Sequence, residues 1–251
     1  MNIMTFSGIL LGIALISTAI LRGENAIIFL NLNAAFITIG GTIAATFIAY
    51  PFKDVRHIVH VAINVFKRDI FPPSAYVNEI LDLARIYRVG GLKKLETEEE
   101  SLYNRTLKLG VELVVDGYDE KDIYTILEKE RIFLSLRHES GEMILRSMAR
   151  YAPAFGMVGT LIGLIQMMLF FGNPEAIGGP LAQALVSTFY GLILANLIFL
   201  PLSAKLKRRT DSEIMLMRVI TDGILGISRK ENPVKLKRHL NAILPPNQRL
   251  D

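Results

Sequence analysis

The sequence predicts an all-α integral membrane protein: four transmembrane helices, a helical cytoplasmic insert and a helical C-terminal tail. Three observations carry that fold class. The 251 residues are 51% hydrophobic and only 21% charged. The mean hydropathy is +0.37. The apolar residues gather in four long runs, and almost all charges lie outside them. Lipid cannot satisfy an open strand edge, so apolar runs of about 20 residues read as spanning helices.

The first run, Ile3 to Leu21, carries no charge. It lacks a basic segment before it and a small-x-small cleavage site after it, and so reads as a retained helix. The second run extends from Ala26 to Phe52, the third from Tyr151 to Phe171 and the fourth from Leu181 to Ala204. The link Arg22 to Asn25 holds one Arg and one Glu, and the link Gly172 to Pro180 holds Glu175 and no basic residue. Lys53, Arg56, Lys67 and Arg68 follow the second run, Arg146 and Arg150 precede the third, and Lys205, Lys207, Arg208 and Arg209 follow the fourth. Positive charge accumulates on the cytoplasmic side, so both termini and the middle segment are expected there, with two short turns outside. Arg22 runs against that pattern. The expected organisation is residues 1–52 as spans one and two, 53–150 as the insert, 151–204 as spans three and four, and 205–251 as the tail.

Small residues recur at spacing four in the runs: Gly8 and Gly12; Gly41, Ala45 and Ala49 with Gly40 and Ala44 beside them; Gly159 and Gly163. Such rows let helix backbones approach closely in lipid, within a subunit or between subunits. Glycine is also simply frequent in membrane helices.

The insert holds 16 Lys and Arg against 17 Asp and Glu. Pro72-Pro73 breaks the chain, and Ser74 is expected to cap a helix bearing Val77, Ile80, Leu81, Ala84 and Tyr87 on one face. Gly90-Gly91 ends that helix. A second is expected from Leu92 to near Gly117 through Leu102, Thr106, Leu109 and Leu113. Asp119 caps a third, through Ile123, Ile126, Leu127, Phe133 and Leu134, which can continue through the basic flank to Pro153 and the third run. The tail holds 11 basic and five acidic residues. Its pattern Ile214, Met217, Ile220, Ile224 reads as an amphipathic helix, interrupted at Asn232-Pro233 and followed by a short helix with Leu236, Leu240 and Ile243.

Several chemistries are excluded or poorly supported. There is no cysteine, so thiol catalysis and cysteine metal sites are absent. The chain has no P-loop, no G-x-S-x-G elbow and no zinc motif, which argues against ATP-driven transport and hydrolase chemistry. His57 and His60 form an i, i+3 pair without further ligands and read as part of a basic juxtamembrane flank. The net charge of +4 is explained by orientation in the membrane and not by nucleic acid. No Asp, Glu, Lys or Arg stands in any of the four runs. Ion carriers place an ionisable group within the bilayer, so a conducting role requires a carboxylate from another chain. The last two runs offer neutral polarity instead: Thr160, Gln166, Gln183, Ser187, Thr188 and Asn196. Hydroxyl and carbonyl oxygens can replace part of a cation's hydration shell. Alternatively each threonine bonds only its own i−4 carbonyl.

Tyr151-Ala-Pro-Ala-Phe-Gly-Met-Val-Gly-Thr-Leu-Ile-Gly163 resembles the start of the third span of the MotA/PomA flagellar stator proteins. Ala184-Leu-Val-Ser-Thr-Phe-Tyr-Gly-Leu-Ile-Leu-Ala-Asn196, followed by Pro201-Leu-Ser-Ala-Lys-Leu, is similar to their fourth. Gly172 to Pro180, Arg88-Val-Gly-Gly-Leu-Lys-Lys-Leu-Glu96 and Gly110-Val-Glu-Leu-Val-Val-Asp-Gly117 also match. The resemblance covers nearly the whole chain in order; the more distant TolQ and ExbB proteins have three spans and lack this insert arrangement.

The resemblance implies an ion-driven motor subunit of the bacterial inner membrane with no tightly bound cofactor, coupling Na+ or H+ flow to torque. It implies a ring of five copies around two copies of a single-span, peptidoglycan-anchored MotB/PomB partner that supplies the carboxylate, and an insert that pushes on a FliG-like rotor protein. A ring energising a different machine, such as gliding or TolQ/ExbB-type transport, is the alternative. Carried over residue by residue, Arg88, Glu96 and Glu99 match the rotor-facing charges, and Val89 replaces a second basic residue of the PomA branch. Pro153 and Pro201 match the two prolines tied to coupling. Thr160 and Thr188 match the threonines lining the ion path of sodium-type members. Asn31 stands where that branch has Asp, which leaves sodium only modestly favoured over protons.

Overall fold

A computed structural model of the chain describes residues 3–23, 25–56, 58 and 73–250. Glu24, His57, His60, Lys67, Arg68 and Pro72 lie outside the described residues. The described residues form helices and turns and no strand. In chain order the helices are α1 (Ile3–Leu21), α2 (Leu32–Ala35), α3 (Gly41–Ala49), α4 (Pro73–Glu99), α5 (Arg105–Val115), α6 (Glu120–Met168), α7 (Pro174–Ile193), α8 (Leu200–Ser228) and α9 (Pro233–Ile243). Three helical stretches are long and apolar enough to cross a membrane, Ala26–Ala49, Glu120–Met168 and Ala176–Ser228, and a shorter apolar helix covers Ser7–Leu21.

The second apolar run differs from the single helix expected over Ala26 to Phe52. Ala26–Phe29 is a 3-10 turn, the chain opens at Leu30-Asn31, and α2 starts afresh. The Asn31 side chain accepts a hydrogen bond from the Ala34 N–H at 3.0 Å and so caps the restart. A π-helical turn over Phe36–Gly40 joins α2 to α3. The helix stops at Ala49 because Tyr50 precedes Pro51 and takes extended angles (φ −136°, ψ 144°), as a residue before proline prefers. The third and fourth runs are longer than hydropathy alone suggests. Helix α6 continues without interruption through Pro153, and α7 passes through a π-helical stretch, Leu194–Phe199, into α8. That wide turn comes directly before Pro201, whose ring would collide with the Leu197 carbonyl in a regular helix.

The chain divides into two compact units, Met1–Asp69 with His138–Lys207, and Ile70–Arg137 with Arg208–Asp251. In the first, Ile58, Ile144, Leu145 and Leu206 form a buried cluster joined by Tyr50, Met148, Phe199 and Leu202.

In the second unit, the insert and the tail share one hydrophobic core. Val77 and Ile80 of α4, Leu107 and Val111 of α5, Ile123 and Leu127 of α6, Ile220 and Ile224 of α8, and Leu236 and Leu240 of α9 are all buried in it. Truncating one of these, Leu107→Ala for instance, costs about 2–5 kcal/mol. The helix ends follow from sequence. Asn104 accepts from the N–H groups of Thr106 and Leu107, both at 3.0 Å. Asp119 accepts from Asp122 N at 2.8 Å, as expected of a cap. Helix α5 closes with Gly117 at φ 78°, the Gly117 N–H bonding Val114 O and the Tyr118 N–H bonding Leu113 O, a glycine-dependent C-terminal motif.

Two local expectations are corrected here. Ser74 lies inside α4 and not at its cap. The helix expected from Leu92 to Gly117 is two helices: α4 resumes after a break at Gly91 (φ 71°, ψ −169°) and ends at Glu99, and Leu102 lies in the turn before α5. Phe133, on the expected path of α6, is 61% exposed.

Candidate functional site

The glycines of Gly156-Met-Val-Gly-Thr-Leu-Ile-Gly163 are explained by what faces them. A Cβ at Gly156 would lie 2.9 Å from Ser187 O and 3.1 Å from Thr188 Cα. At Gly163 it would lie 2.6 Å from Pro180 O, and at Gly191 2.5 Å from Ala152 O. Helices α6 and α7 therefore touch backbone to backbone, which only small residues permit. Gly12 and Gly41 instead receive side chains, Leu197 and Phe155, while Gly8 and Gly40 face nothing within 4 Å.

This close approach brings Thr160 and Thr188 together. Their Oγ1 atoms are 2.5 Å apart. Thr160 Oγ1 also lies 3.1 Å from Gly156 O and 2.9 Å from Ala184 O, and Thr188 Oγ1 lies 3.3 Å from Gly156 O. Two hydroxyl protons thus serve four converging oxygens. One proton bridges the threonines and the other goes to a carbonyl. Both side chains are half-buried. The cluster is uncharged and oxygen-only, the ligand type hard cations take. Simple back-bonding to the i−4 carbonyl does not describe it, because Thr160 also reaches across to α7.

A second polar seam ties the helix of residues 32–49 to α7, and the sequence reading missed it. Thr38, Thr42 and Thr46 are buried at i, i+4, i+8. Thr42 and Thr46 donate to their own i−4 carbonyls at 2.6 and 2.7 Å, but Thr38 donates across to Ser187 O at 3.2 Å. Asn33 Nδ2 donates to Gln183 Oε1 at 3.4 Å. The break at Leu30-Asn31 exposes backbone groups, and Tyr190 satisfies them: its hydroxyl donates to Phe29 O and accepts from Asn31 N at 3.3 Å. The spacing of the three threonines was visible in the sequence. Tyr190's role depends on a chain break that hydropathy conceals.

The remaining expected residues fall as follows. Pro153 is half-buried within α6, and its Cα would be 3.0 Å from a Cβ on Gly191. Pro201 is half-buried in the first turn of α8. Gln166 and Asn196 are exposed, and Asn196 donates to Leu192 O at 3.0 Å. In the second unit Arg88 and Glu96 are exposed, whereas Glu99 is half-buried with Lys108 Nζ 3.7 Å away. Burial pushes the Glu99 carboxyl above its ordinary value, Glu112 adds to that, and Lys108 opposes it. Glu79 and Asp222 are raised by burial as well. Among the described residues no group of three or more His, Cys, Asp or Glu could hold a metal.

The model of the MotA/TolQ/ExbB proton channel family matches residues 98–219, a stretch that contains both threonines. Protein YtxD of Bacillus subtilis is 34% identical over 93% of this chain and 87% of its own. The chain belongs to the MotA/TolQ/ExbB family. Chemotaxis protein PomA of Vibrio alginolyticus is 31% identical over 99% of this chain and 98% of its own. The structure of the flagellar MotAB stator complex from Bacillus subtilis contains a chain that superposes with a TM-score of 0.89 at 28% identity, over 97% of this chain and 96% of that one. Membership of a proton channel family accords with a polar pair inside apolar helices and with a non-enzymatic, ion-conducting role.

Proposed function

We infer that the chain is the ring-forming subunit of a flagellar stator, coupling Na+ or H+ flow across the bacterial inner membrane to torque on a rotor. The observation that carries this reading is the Thr160–Thr188 oxygen cluster, set between the apolar runs 151–171 and 181–204, which hold no acid or base of their own. Such a wall can strip part of an ion's hydration shell, but needs a carboxylate supplied by a neighbour. A single-span, peptidoglycan-anchored partner of the MotB/PomB kind supplies it, and five copies of this chain surround two of that partner. The similar Bacillus subtilis chain belongs to a MotAB complex, which supports a partner of this kind.

In this reading α1, the helix of residues 32–49, and the apolar parts of α6 and of α7–α8 are four spans. The basic flanks at Lys53 and Arg56, Arg146 and Arg150, and Lys205 to Arg209 support cytoplasmic termini. Thr160 and Thr188 line the ion path, and Pro153 and Pro201 transmit the motion of the spans. The insert, residues 53–150, presents Arg88 and Glu96, with Glu99 beside them, to a FliG-like rotor protein.

Deleting the coding sequence tests the reading. The deletant keeps its filaments and stops swimming, and the intact gene restores motility. A deletant that swims normally but loses gliding or outer-membrane uptake would instead place this ring in another machine.

A further inference from the structure

A pocket of about 610 Å³ opens at the end of the apolar helices in the first unit, lined by Tyr50, Met143, Arg146, Ser147, Arg150, Leu200, Ser203 and Ala204. Its chemistry is unlike that of the Thr160–Thr188 cluster. Ser147 and Ser203 are each 2% exposed. The Ser147 Oγ is 2.8 Å from the Tyr50 hydroxyl and accepts from Arg150 Nη2 at 3.1 Å. The Ser203 Oγ has no hydrogen-bond partner, and a buried hydroxyl in that state lacks a group to bond. Arg150 pairs with no carboxylate among the described residues. Arg146 is engaged by Glu142 at 2.9 Å, which also lies 3.8 Å from Lys207. The two lining arginines against that one carboxylate leave the pocket positive.

We propose that this pocket binds the phosphate ester of an anionic phospholipid, held by the Arg150 guanidinium and the Ser203, Ser147 and Tyr50 hydroxyls. A guanidinium fork and hydroxyl donors match the oxygens of a phosphodiester. The pocket lies where apolar helix gives way to basic flank, the depth at which a bilayer presents headgroups, and Tyr is favoured there. Leu200, Ala204 and Met143 supply apolar lining beside the cations, which suits a glycerol backbone and the start of an acyl chain better than free phosphate. The inference rests on the membrane reading above, but it concerns lipid and not ion flow or torque.

Native mass spectrometry of the full chain, extracted from membranes in detergent, tests it with phosphatidylglycerol, phosphatidylcholine and inorganic phosphate as separate probes. One phosphatidylglycerol per chain is expected to bind roughly fivefold or more tighter than phosphatidylcholine, as one basic side chain near the surface can provide. Arg150→Gln erases that preference and Ser203→Ala weakens binding of both lipids, which share the phosphodiester, while Lys207→Gln, on the same flank but outside the pocket, keeps the preference. Displacement of the lipid by millimolar inorganic phosphate shows the same phosphate site open to a soluble source; retention shows the lipid to be the ligand. Equal binding of both lipids, or equal loss in Arg150→Gln and Lys207→Gln, overturns the proposal while leaving the motor reading intact. A chain recovered without membranes would sink the membrane reading itself.

Discussion

Thr160 and Thr188 stand 28 positions apart in the chain and share a hydrogen bond of 2.5 Å. The contact exists because Gly156, Gly163 and Gly191 remove the side chains that would separate their helices. Sequence, packing and proposed chemistry meet at this point.

The first prediction concerns the hydroxyls themselves. Thr160→Ala or Thr188→Ala removes one of the converging oxygens, a polar contact worth about 1–3 kcal/mol when buried, which slows a barrier-limited step roughly five- to hundredfold. Swimming should stop while the protein stays in the membrane fraction at normal amounts. The Thr→Ser versions keep the oxygen and should swim. Normal motility in both alanine variants removes the ion-path assignment.

Packing is tested at Gly191. A methyl group there would meet Ala152 O at 2.5 Å, so Gly191→Ala should cost about 1–3 kcal/mol through forced separation of the helices. Gly178→Ala, where nothing lies within 4 Å, serves as the control. Thermal unfolding of the purified chain measures both. Equal midpoints would mean that the backbone contact is not maintained.

Arg88 is exposed, so Arg88→Glu should change stability by less than about 0.5 kcal/mol. Torque measured on tethered cells should nevertheless fall, and a compensating reversal on the rotor protein should partly restore it. Unaltered torque in the single variant would rule Arg88 out as a rotor contact.

The pH dependence of the second unit follows from Glu99. Its carboxyl is raised, chiefly by burial, so its folded-state pKa lies above its unfolded one. The folded state then binds the proton more tightly. The associated stability is fully present below the unfolded value of about 4.3 and fades as pH rises through the folded value. Glu99→Gln should therefore unfold later than the parent at neutral pH, with the difference shrinking on acidification. A difference that grows toward low pH would show that the Lys108 pair outweighs burial.

Much of this was legible in the sequence for identifiable reasons. The end of the first helix at Leu21 was placed to the residue because a charge-free run ends at Arg22-Gly23. Asp119 worked as a cap because a carboxylate before an apolar periodic segment has one obvious use. The second run was misread because Leu30-Asn31-Leu32-Asn33 keeps a high mean hydropathy while Asn31 breaks the helix and caps its successor. Asn104 gave the same signal at α5, hidden by the helical spacing of Leu102 and Leu109. The π turns at Phe36–Gly40 and Leu194–Phe199 shift the register by a single residue, below what apolar periodicity resolves. At the site, the threonine pair was foreseen but the glycine contacts that create it were read only as a general tendency to pack. Thr38 and Tyr190 were missed because their partners are backbone atoms on distant segments.

Ion flux in reconstituted liposomes tests the central claim most directly: apolar spans without a charge of their own conduct only with a carboxylate lent by a second chain. Liposomes holding this chain alone should show no selective Na+ or H+ uptake, and co-reconstitution with the single-span partner should produce it, provided the partner's membrane-embedded acid is intact. Selective, saturable uptake by the chain alone would contradict the account.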